Sequence, residues 1–259
     1  MQIRIIGCGT MGSAIAQTLK ENGQEISIYD KHRERVEALA RSIGVTQADS
    51  AWSDLFPGDC ALLAVKPQDF EAVTKDFSGF EGGLIASVLT GIDTHRLKKH
   101  FPGSTVLRMM PNLAVRYGDG IVALAEDPSL APYQKVIEEM FSSLGLLKWL
   151  PESLFDAVTS LTGSGPAFVF AVIEAMVDAS IQLGFSAETG YELVKQMVGG
   201  ALTMLYESPE SPSDLRRQVC SPSGTTIAGI LALEKNGMRH ALIEAFVAAK
   251  ARAIELGKN

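Results

Sequence analysis

Two short runs in this chain bring together residue types that bind and orient ligands without any strongly acidic or basic side chain. The first, Gly7-Cys8-Gly9-Thr10-Met11-Gly12, is a GxGxxG pattern that follows the apolar run "QIRII" and opens a helical one. In that context Gly7 permits a tight turn, Gly9 lets the backbone approach a pyrophosphate, and Gly12 allows close helix–strand packing. The helix that begins at Thr10 and Met11 offers unpaired N–H groups and a partial positive charge to phosphates. The second run, "CSPSGTTIAGI" (220–230), holds the hydroxyl residues Ser221, Ser223, Thr225 and Thr226 and no His, Asp, Glu, Lys or Arg. Ser-Pro stops one element and Thr caps the next, so the run reads as a turn feeding a helix. What it offers a ligand is hydroxyls and backbone amides.

Further candidates sit at strand ends. Asp30 ends the second apolar run, where a carboxylate hydrogen-bonds ribose hydroxyls and repels a 2′-phosphate, a lean toward NAD. Lys31, His32 and Arg33 follow at once and would clamp that phosphate if Asp30 turned away, which keeps NADPH open. The same residues also read as the solvated start of a helix. "AVKPQ" (64–68) puts Val65, Lys66 and Pro67 at the carboxyl edge of a strand, where open α/β sheets bind ligands. "RMMPN" (108–112) does the same with the amide of Asn112. Taken alone, each is a strand followed by a proline turn.

The elements that must position these residues fall into two rhythms. Residues 1–150 alternate apolar runs ("QIRIIG", "EISIYD", "ALLAVKP", "GLIASVL", "TVLRMM") with helical patterns closed by Gly23, Gly44 and Gly145. Apolar runs too continuous to have a wet face, alternating with helices, indicate a parallel, doubly wound Rossmann-type sheet. Residues 151–259 carry helical patterns over 153–184, 187–207 and 237–257, with "SPESPSD" (208–214) as a linker. The expected organisation is a dinucleotide-binding domain over 1–150 and an all-α substrate and dimerisation domain over 151–259. "AFVFAVIEAMVDASIQLG" is apolar almost all round, which calls for burial on every side. So few helical residues cannot readily bury it, so a second subunit is expected to cover it.

Composition narrows the classes. With 46% hydrophobic and 20% charged residues the 259-residue chain is globular, and its net charge of −7 leaves no basic stripe for a nucleic-acid backbone. Cys8, Cys60 and Cys220 are odd in number and scattered, and the histidines lack ligand spacing, so neither a disulfide framework nor a metal site is indicated. The chain opens directly on a strand pattern and its apolar stretches are broken by charges. A cytoplasmic protein without membrane or nucleic-acid partners is expected.

"DAVTSLTGSGPAFVFAVIEAMVDA" (156–179), taken with the hydroxyl run, "GCGTMG", "AVKPQ" and "RMMPN", resembles pyrroline-5-carboxylate reductase over essentially the whole chain. That resemblance implies hydride transfer from NADPH or NADH to a cyclic imine acid, the last step of proline biosynthesis. It also implies an interlocked homodimer, commonly assembled into rings of dimers. A protonated imine is already electrophilic, so the reaction needs positioning more than polarisation. A cation beside it would disfavour its protonated form. Hydroxyls and amides therefore suit the substrate carboxylate. By resemblance Ser221, Gly224, Thr225 and Thr226 bind that carboxylate, Thr226 is the catalytic candidate toward the ring nitrogen, and Glu174 approaches the pocket. Glu174 reads equally as a structural carboxylate at a subunit interface, and Ser164 and Gly165 as a tight helix crossing.

Three departures from the family pattern stand out. Leu113-Ala114 replaces Thr-Pro, Ser223 replaces the first of two glycines, and Leu89-Thr90 replaces two small residues. Ser223 is strained if its φ is positive, and Leu89 narrows a pocket that Ala would leave open. Two other readings remain: a reductase of a different imine or keto acid, and a nucleotide-binding paralogue without turnover. The first is disfavoured because the only lysine of 151–200, Lys195, lies outside the glycine-rich motif.

Overall fold

Every residue of the strands β1 (Ile3–Ile6) and β4 (Cys60–Leu63) is buried, which requires cover on both faces of the sheet. The computed structural model describes residues 2–75, 77, 80 and 82–257. It divides into two compact units, Met1–Gly163 with Ala249–Asn259, and Ser164–Ala248.

The first unit contains, besides β1 and β4, the strands β2 (Ile26–Tyr29), β3 (Thr46–Gln47), β5 (Leu84–Ser87), β6 (Thr105–Pro111), β7 (Gly120–Ala125) and β8 (Gly145–Leu150). Its helices are α1 (Thr10–Glu21), α2 (Arg33–Ile43), α3 (Phe70–Lys75), α4 (Thr94–His100), α5 (Gln134–Phe141) and α6 (Phe155–Val158). Strand order is β3-β2-β1-β4-β5-β6-β7-β8. The order reverses between β1 and β4, and open sheets of this kind bind ligands beyond the carboxyl ends at that point. Alternate residues of β1 feed different cores. Ile3 and Ile5 join Ile15, Leu19 and Ile28 on one face, and Ile6 joins Leu63, Phe70 and Phe101 on the other.

The expectation of an all-parallel sheet needs correcting at one pairing, because β6 and β7 run antiparallel while the other neighbours are parallel. A 3-10 segment, Leu113–Tyr117, and Gly118 at φ +73° reverse the chain there. A parallel pairing would need a crossover of a dozen residues or so. Strands β3, β7 and β8 were not among the expected runs. β8 alternates half-buried and exposed residues at its start, as an edge strand does, so it lacks the continuous apolar signature.

The second unit holds α7 (Gly165–Gln182), α8 (Ala187–Glu207), α9 (Pro212–Val219), α10 (Thr225–Lys235) and the larger part of α11 (Met238–Gly257). The helix expected over 153–184 is not uniform. Thr159–Ser164 is a π-helical turn, and the hydroxyls of Thr159 and Thr162 donate to the carbonyls of Phe155 and Val158 there. The linker expected over 208–214 in fact opens α9, with Ser211 as N-cap and Pro212 in the first turn. Val169, Phe170, Ile181, Leu183 and Tyr191 are exposed in the single chain, and only two residues of α7 are buried.

Candidate active site

The glycine loop lies at the β1/β4 switch point, and its three glycines answer three different demands. Gly7 has φ +112°, and a Cβ there would stand 2.6 Å from the Ala64 carbonyl carbon. A Cβ on Gly12 would overlap the carbonyl oxygen of Gly7. Gly9 is different: its φ of −74° and ψ of −171° suit any residue, and a Cβ would meet nothing within 4 Å. Nothing among the described residues requires glycine at that position, and the open space there fits the close approach of a dinucleotide's pyrophosphate. Helix α1 has no side-chain cap, and its first intrahelical donor is Ser13 N, which bonds Gly9 O at 2.9 Å. The amides of Thr10, Met11 and Gly12 are thus left for phosphate oxygens.

A cleft of about 300 Å³ runs from this loop. Of the expected residues it brings together Gly7, Gly9, Asp30, Lys31, His32, Val65 and Lys66, and it adds Tyr29, Arg35, Gln68 and Asp69. Asp30 Oδ2 accepts from Cys8 N and Oδ1 from His32 N, both at 2.8 Å. The carboxylate therefore ties the glycine loop to the start of α2. Lys31 Nζ lies 2.7 Å from Asp69. The Cys8 thiol is pushed up to about 12 by burial and then by Asp30, which leaves it an inert packing group.

Several expected residues lie elsewhere. Arg33 is not among the residues lining the cleft; its side chain is 89% exposed and lies 3.0 Å from Glu37 one turn along α2. Pro67 is exposed and begins a 3-10 turn beside the cleft. Asn112 is buried, and its Oδ1 accepts from Ile121 N at 3.1 Å, a bond that fixes the β6–β7 turn. Leu89 does not narrow a pocket: it is 1% exposed and packs in the core with Phe70 and Ile92. Residues Leu113 and Ala114 sit on the 3-10 segment after β6.

In the helical unit, Ser221 to Gly224 form a turn closed by Gly224 N to Ser221 O at 3.1 Å. Pro222 occupies its second position, and Ser223 its third with φ +57°, a place that favours glycine. The strain expected at Ser223 is present. Gly224 is the N-cap of α10 and makes no side-chain cap bond, so the amides of Thr225, Thr226 and Ile227 have no partner among the described residues. The hydroxyls of Ser221, Thr225 and Thr226 likewise have no hydrogen-bond partner among the described residues. A Cβ on Gly224 would overlap the Ser221 hydroxyl, so glycine keeps that hydroxyl beside the amides. Glu174 is exposed on α7 in the single chain. Gly165 is buried beside the Phe246 ring, but a Cβ there would stand 3.5 Å from it, an ordinary contact, so the space does not require glycine as the expected tight crossing would.

A sheet of this order with a glycine loop at its switch point is the architecture of dinucleotide-dependent oxidoreductases. Residues 152–256 match the family model for pyrroline-5-carboxylate reductase dimerisation, and residues 2–91 match one described as NADP oxidoreductase, coenzyme F420-dependent. A pyrroline-5-carboxylate reductase of Synechocystis sp. is 36% identical, with 100% of this chain and 99% of the relative covered. The solved pyrroline-5-carboxylate reductase of Coxiella burnetii superposes with a TM-score of 0.88 at 30% identity, covering 98% of this chain and 97% of the other. That of Streptococcus pyogenes does so with a TM-score of 0.88 at 32% identity, covering 98% of each chain. The chain belongs to the pyrroline-5-carboxylate reductase family and is an NAD(P)H-dependent oxidoreductase acting on a C=N bond. Its C-terminal part is a dimerisation domain.

Proposed function

We propose that this chain reduces 1-pyrroline-5-carboxylate to L-proline, with the dinucleotide held by residues of 1–150 and the substrate carboxylate by the hydroxyl turn within 151–259. The observation that carries this reading is the turn itself. It has three unpaired hydroxyls and three unpaired amides at the N-terminus of an 11-residue helix, with no cation in the run. That is a site for an anion whose neighbour is a protonated imine. The macrodipole and amides hold the carboxylate, and the absence of Lys or Arg leaves the ring nitrogen its proton.

When bound, the reduced nicotinamide supplies the hydride that attacks the C=N carbon. The chain's own residues position and hold. Gly7, Gly9, Thr10, Met11 and Gly12 take the pyrophosphate. Asp30 fixes the loop, while Val65 and Lys66 line the cleft beyond it. Ser221, Gly224 and Thr225 hold the carboxylate. Thr226, on the first turn of α10, donates or accepts at the ring nitrogen. A threonine hydroxyl is a poor acid, so it acts by position. Thr226→Ala should lower kcat/KM about tenfold with NADPH affinity unchanged, and Thr226→Ser should restore most of it. Wild-type kcat/KM in folded Thr226→Ala would remove Thr226 from the mechanism.

Contrary to the expectation that charges interrupt the apolar stretches, the run Glu152–Gln182 is long and apolar enough by length and composition to cross a membrane, and only 11% of its most apolar window is buried in the single chain. A partner copy is the occupant this reading assigns to it, as the dimerisation match supports. Glu174 then lies at or near that interface. Assembly into rings of dimers, a cytoplasmic location and the lack of membrane or nucleic-acid partners belong to the same proposal.

A further inference from the structure

We propose that the cleft selects a dinucleotide phosphorylated at the adenosine 2′-position, and that Arg35, not Arg33, makes the selection. The inference rests on the cofactor site just described and deepens it. Its starting point is Asp30, the residue whose identity leans toward NAD. Both of its oxygens are engaged by backbone amides, Cys8 N and His32 N. Its charge is thereby partly compensated, and its orientation is set by the loop and by α2 rather than by a ribose.

The charges around it then decide. Lys31 is matched by Asp69. Arg33 is directed at Glu37. Arg35 lines the cleft, and its guanidinium has no hydrogen-bond or ion-pair partner among the described residues, its backbone amide alone being bonded, to His32 O at 3.0 Å. Its positive charge also acts on the Cys8 thiol in the loop. His32 lines the same wall as the N-cap of α2, an 11-residue helix without a side-chain cap. Glu34, on the same turn, does not line the cleft. One unmatched guanidinium, one imidazole and the free amides of a helix start therefore gather at the end of β2. In this fold the adenosine ribose is read there. A guanidinium fork matches a phosphate in a way that a ribose hydroxyl cannot use.

The test measures binding to the intact oligomer, with no turnover required. Dissociation constants are determined for NADPH and NADH, and for 2′,5′-ADP and 5′-ADP, with wild type, Arg35→Ala and Arg33→Ala. The wild type should bind NADPH at least about tenfold tighter than NADH. Arg35→Ala should lose about tenfold for NADPH and 2′,5′-ADP, and less than about twofold for NADH and 5′-ADP. Arg33→Ala should change none of the four by more than about twofold. Equal or tighter NADH binding by the wild type overturns the inference. So does an equal loss for all ligands in Arg35→Ala, or a selective loss in Arg33→Ala. If the wild type binds no nucleotide at all, the cofactor site itself is refuted, and the inference with it.

Discussion

Replacing Gly224 by alanine separates folding from substrate binding. The backbone at Gly224, φ −79° and ψ 175°, is one that alanine adopts freely. The added Cβ would overlap only the Ser221 hydroxyl, while the Ser221 carbonyl oxygen would stand 3.2 Å away. The hydroxyl can escape by rotating about χ1, which costs about 0.5–1.5 kcal/mol if it leaves a staggered well. Loss of glycine's freedom in the unfolded chain returns about 0.4–1 kcal/mol. Net stability should therefore change by less than about 1 kcal/mol, and Tm by less than about 4 °C in a chain this size. The Ser221 hydroxyl, however, no longer faces the carboxylate. A hydrogen bond to a charged group contributes about 1.5–3 kcal/mol, so kcat/KM should fall roughly 10- to 150-fold. Most of the loss should appear in KM, because the carboxylate is held alike in ground and transition states. The assay is steady-state kinetics with pyrroline-5-carboxylate beside thermal unfolding at matched protein concentration. Unchanged kcat/KM would refute the turn as the carboxylate site. A Tm loss above about 10 °C would refute the geometry assigned to Gly224.

Gly9→Ala should leave Tm within about 2 °C and weaken NADPH binding at least tenfold or so, whereas Gly12→Ala should cost about 3 kcal/mol or more because its Cβ meets backbone. Unfolding and binding titrations of the two variants check the contrast. Ser223→Gly should stabilise by about 0.5 kcal/mol, the left-handed penalty of serine less the entropy of glycine, and Ser223→Ala should not, as denaturant midpoints would show. The Asp127 carboxyl is lowered to about 2, chiefly by the hydrogen bond from Lys98 and then by Ser129. Its depressed value stabilises the fold above the unfolded value near 3.9, a contribution lost as pH falls toward 2. Asp127→Asn should therefore be less stable than wild type at pH 7, with the gap beginning to close below about pH 4 and vanishing only as pH falls through about 2, a convergence that Tm against pH would reveal.

The glycine loop was legible because each of its parts is local: an apolar strand, GxGxxG, then a helix. The hydroxyl turn was legible for the same reason, whereas Ser223 could be flagged only through the resemblance, because the family usually has glycine where this chain has serine. Arg35 was not legible, since the choice between Arg33 and Arg35 depends on where α2 begins. That start is set by His32 and its amide bond to Asp30. Leu89 was misread for a related reason. Its position after β5 puts it near a loop, but the pleat turns its side chain into the core. β7 and β8 escaped notice because the 3-10 segment and Gly118 that reverse the chain after β6 leave a weak local signal. α9 had a readable start in Ser211-Pro212 with Asp214 two residues on, but the surrounding prolines and serines looked like a linker. The exposed face of α7 was foreseeable because its apolar residues outnumber what the helical unit can bury.

The central claim is tested most directly by mixing the purified oligomer with pyrroline-5-carboxylate and either NADPH or NADH, and following cofactor oxidation together with proline formed. The account predicts one proline for each cofactor oxidised, with NADPH preferred. A folded protein that binds nucleotide and turns over neither mixture would contradict it.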